Sequence, residues 1–165
     1  MSTWTAAQEA LIDPIERMFE REYPGKRCLF SSLPDPTEGG SGFADIAYIH
    51  SGPEQLHVVR LEATFDDCIL DTKSGIHTMS WIESNYKWLA LPLDEFRNGE
   101  ELFGDMLMDL CKERGVGILC VQAQGTGLSA KVMLDAAHHK GRYIKEYDLT
   151  NPWKDSVRSP YRVVS

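Results

Sequence analysis

The chain has 165 residues, of which 42% are hydrophobic and 25% charged, with a formal net charge of −8. That length fits one domain with its own core and leaves little for a second. No stretch approaches the roughly 20 consecutive apolar residues of a membrane span, and an acidic body repels phosphate backbones, so a membrane-spanning protein and a strong nonspecific nucleic-acid binder are both disfavoured.

The charge is unevenly spread. Residues 1–130 hold 10 Lys+Arg against 21 Asp+Glu, a net of −11, whereas residues 131–165 hold 7 against 4, a net of +3. A nucleic acid would therefore enter from the side carrying Lys131, Lys140, Arg142 and Lys145, although a solvated surface accounts for these charges as simply. The opening "MSTWTAAQEALIDPIERMFE" lacks the basic start and apolar block of a signal peptide. Cys28, Cys68, Cys111 and Cys120 form no C-x-x-C pair, and the expectation is free thiols in a cytoplasmic protein. His138 and His139 are neighbours that diverge by about 100° on a helix, so a zinc site is set aside.

In chain order, Trp4, Ala7, Leu11, Ile15, Met18 and Phe19 share one face of a helix over residues 4–22. Pro14 interrupts it, so the segment is kinked or divided, with Asp13 placed to cap a second helix. "CLFSSL" reads as a short strand and "PDPTEGGSG" as a loop. "FADIAYIH" and "QLHVVRLEA" follow as a hairpin of two strands joined through a turn-rich connector. A helix is expected from about Ile76 to Tyr86, and "KWLALPL" is a strand stopped by Pro92. "NGEELFGDMLMDLCKERG" reads as one helix, with Leu102, Phe103, Met106, Leu107, Leu110 and Cys111 along one side. "VGILCVQA" is a strand buried on both faces. "GTGLSAKVMLDAAHHKG" reads as a helix and "RYIKEYDL" as a last strand. The expected fold is α/β: one domain over residues 1–150, a mixed central sheet flanked by helices, and an extended tail over 151–165 that docks through Trp153 and Tyr161.

Two acids stand inside the apolar runs of the hairpin, Asp45 between Ala44 and Ile46 and Glu62 between Leu61 and Ala63. A buried carboxylate is costly unless a hydrogen-bonding group or a cation pairs with it. A structural role for them is bonding to backbone or to Arg60, which shares a strand face with Glu62. "GTGLSAK" lacks the spacing of a phosphate-binding loop, and Ser129 has no G-x-S-x-G around it. Trp81, Tyr86 and Trp88 could stack bases, but the core is their simpler place.

The order of elements and the two acids resemble the restriction-endonuclease-like superfamily, the PD-(D/E)xK nucleases, over residues 5–122. Members share a helix, three strands, a helix and a fourth strand, with an Asp on one strand and E-x-K on the next. Asp45 matches the Asp and Glu62 the Glu, while Thr64 stands in place of the lysine. The resemblance implies a divalent-metal-dependent nuclease acting on DNA or RNA, with Mg²⁺ or Mn²⁺ held by Asp45 and Glu62 and a third carboxylate from Glu20 or Glu16. Lys73, or else Lys87, would be a migrated replacement for the lysine. Carboxylates on adjacent strands come within about 5 Å, close enough to share an ion that neutralises a phosphate and activates water. Two alternatives stand beside this one. One is a nuclease-like protein whose site is degraded at Thr64. The other is an acidic interaction or inhibitor protein that binds a protein partner. Neither the sequence nor the resemblance sets an oligomeric state.

Overall fold

A computed structural model of the chain describes residues 5–23, 25–30, 46–50, 55–69, 76, 84–141 and 161–164, with backbone alone for 26–30 and 161–164. Helix α1 (Ala6–Glu22) opens with a capping box. The Thr5 hydroxyl accepts from the Gln8 amide at 3.2 Å, and the Gln8 side chain accepts from the Thr5 amide at 2.9 Å. The helix runs on through Pro14, and its cap is Thr5 rather than Asp13. Proline forfeits one backbone bond there, but Leu11, Ile12, Ile15, Met18 and Phe19 are all buried around it. That apolar stripe outweighs the local break.

The strands form one mixed sheet in the order β6-β5-β4-β3-β2-β1-β7. Strands β1 (Gly25–Phe30), β2 (Ile46–His50) and β3 (Gln55–Leu61) make an antiparallel meander, as the hairpin pattern leads one to expect. Strands β4 (Tyr86–Pro92) and β5 (Val116–Gln124) then add in parallel to β3. Their crossovers carry α2 (Phe65–Ile69) before β4, and α3 (Leu93–Phe103) and α4 (Met106–Arg114) before β5. Helix α1 packs on the face bearing Tyr48, Val59, Leu61, Trp88 and Leu119. The other three helices cover the face of Leu56, Val58, Leu89, Ile118 and Cys120. Strand β3 is thus enclosed on both sides.

Three expectations need correcting. The segment read as a helix after "VGILCVQA" is strand β6 (Gly127–Leu134), antiparallel to β5. A two-residue turn at Gly125-Thr126 reverses the chain, and the positive φ of Gly125, 62°, is what a tight hairpin turn demands. The long helix over residues 98–115 starts earlier, at Leu93, and breaks at Gly104, whose φ is 65°. Tyr86 belongs to β4 rather than to a helix, and Ile76 is the described residue of that stretch in helical conformation. At the chain's end, β7 (Tyr161–Val164) pairs with β1. "RYIKEYDL", Trp153, and most of the expected tail lie outside the described residues.

Asn85 joins the amino ends of the parallel strands. Its side-chain oxygen accepts from the Leu56 amide at 2.9 Å, and its amide nitrogen donates to the carbonyls of His139 at 2.9 Å and Gly141 at 3.0 Å. Its backbone pairs with the same two neighbours, donating to Leu56 and accepting from His139. Asn85 is 2% exposed, so each of these partners has little water to fall back on. Asn85→Ala should lower the unfolding free energy by about 2–4 kcal/mol in urea titrations, the scale of several buried groups left unpaired. A loss below about 0.5 kcal/mol, the size of an ordinary surface change, would contradict this role.

Candidate functional site

Glu62 sits just past the end of β3, at the carboxyl end of the parallel strands, where open α/β sheets tend to bind ligands. Its amide continues the ladder by donating to the Ala90 carbonyl at 2.8 Å. By the period of two, Arg60 and Glu62 share the face of Leu56 and Val58, under helices α2–α4. The Arg60 Nε donates to Glu62 Oε1 at 2.7 Å, and the two residues are only 7% and 3% exposed. This is a charge-assisted bond in a dry setting. Cys68 of α2 lies close by: burial first, and then the Glu62 carboxylate, push its thiol well above the ordinary range. The same burial raises Cys111 and Cys120 to about 12, so all three thiols stay protonated and unreactive.

Thr64 has a definite task. Its hydroxyl accepts from the Asp67 amide at 3.1 Å, capping α2. The Phe65 amide, next in line, donates to the Glu95 carboxylate at the start of α3 at 3.2 Å. A strand that ends at Leu61 and a helix that begins at Phe65 leave position 64 off the strand. A side chain at position 64 is therefore not aimed at the Glu62 face by the period of two in a strand.

The other candidates are scattered. Helix α1 runs antiparallel to β3: Gln8 near its start donates to the Leu61 carbonyl at 2.9 Å, while Phe19 and Tyr23 near its end meet His57. Glu20 therefore lies on the opposite sheet face and at the opposite end of β3 from Glu62. Lys87 pairs with Val58 at the amino end of β4, beside His139, whose pKa it helps to lower after burial has done most. Asp45 and Lys73 lie outside the described residues. Among the described residues, no three His, Cys, Asp or Glu side chains are grouped to hold a metal ion. Oε1 of Glu62 is engaged by Arg60.

A second cluster went unnoticed in the sequence. His57, fully buried on the α1 face, accepts the indole N–H of Trp88 on its Nδ1 at 3.0 Å. An indole nitrogen only donates, so the imidazole proton sits on Nε2 and the ring is neutral. Tyr86 stacks on it at 4.5 Å and 15°, Tyr23 lies 4.5 Å away, and Phe19 and Tyr48 present edges. His50 is the nearest titratable neighbour in β2, with ring centres 6.2 Å apart. Burial, then His50, lowers the His57 pKa to about 3. Its signal in the sequence is the alternation His57, Val59, Leu61, which puts an imidazole on the same buried face as two aliphatics.

Fold and site together define an α/β protein with a mixed sheet and a buried arginine–carboxylate pair at the carboxyl end of its parallel strands. No protein family, curated protein or solved structure matches the chain. No described helix is long and apolar enough to cross a membrane.

The state of His57 sets an acid limit on stability. Folded, it resists protonation down to about pH 3; unfolded, it takes a proton near 6.5. Stability is therefore full above pH 6.5 and falls as pH drops from there towards 3, by up to about 1.4 kcal/mol per pH unit. Urea unfolding should show wild type losing about 1–2 kcal/mol more than His57→Gln between pH 6.5 and pH 5. Parallel pH profiles for the two proteins would show that His57 does not set the acid limit.

Proposed function

We propose that this chain is a nuclease-like α/β protein in which Arg60 holds the carboxylate that a metal-dependent phosphodiesterase offers to its ion, and that it acts by binding a partner rather than by cleavage. The observation that carries this reading is the Arg60–Glu62 bond of 2.7 Å between two buried side chains. A guanidinium is permanently charged and planar, and it pairs with a carboxylate without any metal. The cation stands two residues before Glu62, whereas the nuclease pattern has a lysine two residues after it. The residue at that position, Thr64, is committed to capping α2. The acidic body argues for a protein partner over a phosphate backbone.

One observation favours a second reading, an active Mg²⁺- or Mn²⁺-dependent nuclease: Glu62 lies at the carboxyl end of the parallel strands. In that case Arg60 would be a positioning residue that releases Glu62 when an ion and a phosphate arrive.

Plasmid and single-stranded DNA and RNA cleavage, together with Mn²⁺ titration followed by melting temperature, separates the two. Under the binding reading, wild type neither cleaves nor gains stability from Mn²⁺. Arg60→Met then costs about 3–5 kcal/mol, because it leaves a buried carboxylate unpaired. Thr64→Lys loses its cap, about 1 kcal/mol, and creates no activity. Cleavage by wild type that Glu62→Gln abolishes would establish the nuclease instead.

A further inference from the structure

The break at Gly104 turns apolar side chains outward. Had residues 98–115 formed one helix, Leu102, Phe103 and Met106 would have faced the core with Leu107 and Cys111. Instead Leu107 and Cys111 are buried, while Leu102 is 77% exposed, Phe103 48% and Met106 38%. Phe103 is held in place by Phe65 of α2, whose ring lies parallel to it at 5.9 Å and 6°. Phe65 reaches that position over Gly99 of α3, where a Cβ atom would collide with its ring. The patch is therefore a fixed surface spanning the ends of two helices.

Its surroundings are mostly acidic, although Arg97 lies beside Glu100 and Glu101. Glu100, Glu101, Asp105 and Asp109 interleave with the three apolar residues, and no Lys or Arg occurs between Arg97 and Lys112. Glu101, Asp105 and Asp109 are exposed, as are Asp66 and Asp67 beside Phe65. Three large apolar groups ringed by carboxylates form a docking surface, since a monomer seldom leaves such a group uncovered without a use. The rim also selects among occupants. A second copy would set acid against acid, and nucleic acid or an anionic membrane would meet the same repulsion.

We infer that the junction of α3 and α4 binds a cationic amphipathic segment of a partner protein, with apolar anchors on Leu102, Phe103 and Met106 and lysine or arginine against the acidic rim. Helix-in-groove partners use this combination of apolar anchors and flanking charge. The surface lies outside the Arg60–Glu62 pair and holds whether or not that site cleaves.

The probe is a fluorescent amphipathic helix of leucine and lysine, with two controls of the same length. In one control glutamate replaces lysine, and in the other serine replaces leucine. Anisotropy should show the Leu/Lys helix binding wild type, more weakly as salt rises, and neither control binding comparably. Leu102→Ser with Met106→Ser keeps the net charge and spares the Phe65–Phe103 stack, so near-ultraviolet circular dichroism should be unchanged. That variant should bind the Leu/Lys helix about tenfold or more weakly, as expected when anchors are lost. Glu101→Lys with Asp105→Lys should weaken binding and flatten its salt dependence. Three results would each overturn the assignment: equal affinity in wild type and the serine variant, equal binding of the Leu/Glu helix, or wild-type self-association in sedimentation that the serine variant abolishes. The last would make this face a contact between copies of the chain.

Discussion

Strand β3 sets the terms for everything around it. It is enclosed by α1 on one face and by α2–α4 on the other, and all but the first of its residues are buried. A strand in that position has no water for polar side chains, so they depend on partners inside the protein, although the Nε2 of His57 is buried without one. His57 takes the indole of Trp88, and Arg60 takes Glu62. The first ties β3 to β4, and it makes the interior depend on His57 staying neutral. The site is where it is because β3 brings two ionic residues to the edge of this dry layer.

Much of the fold could be read from the residues, and the failures have identifiable causes. The apolar stripe of α1, the hairpin of β2 and β3 and the continuous apolar runs of β4 and β5 appear where the sequence places them, while β1 lies at Gly25–Phe30, about three residues before "CLFSSL". Strand β6 was misread because Leu128, Ala130, Val132 and Leu134 alternate within a run that contains good helix formers, and Gly125-Thr126 was not taken as a hairpin turn. The break in the 98–115 helix rests on one glycine with a positive φ, a conformation that spacing does not reveal. In the site, Arg60 and Glu62 on one face followed from the strand period. The role of Thr64 did not, because it depends on where the strand stops and α2 starts.

The same boundary explains why position 64 serves a helix rather than the sheet. Two residues after Glu62 the chain has left the sheet, and a hydroxyl at that point does more for the helix that follows than for a reaction. The positive charge beside Glu62 stands on the strand, in Arg60, bonded to the carboxylate. An arginine in that position stabilises a buried acid reliably, and for the same reason it yields that acid reluctantly to any competing ion.

Asn85 bears on how the chain assembles during synthesis. Its partners are Leu56, made before it, and His139 and Gly141, made more than fifty residues later. A chain emerging amino end first has strands β1–β5 in hand while the side-chain amide of Asn85 still lacks both of its carbonyls. The amino ends of the parallel strands are therefore tied only after β1–β6 have been made, and among the described strands only the edge strand β7 joins the sheet later. During translation the seam at Asn85 stays open until the segment after β6 has cleared the ribosome, and truncation before Gly141 removes both that closure and the edge strand β7.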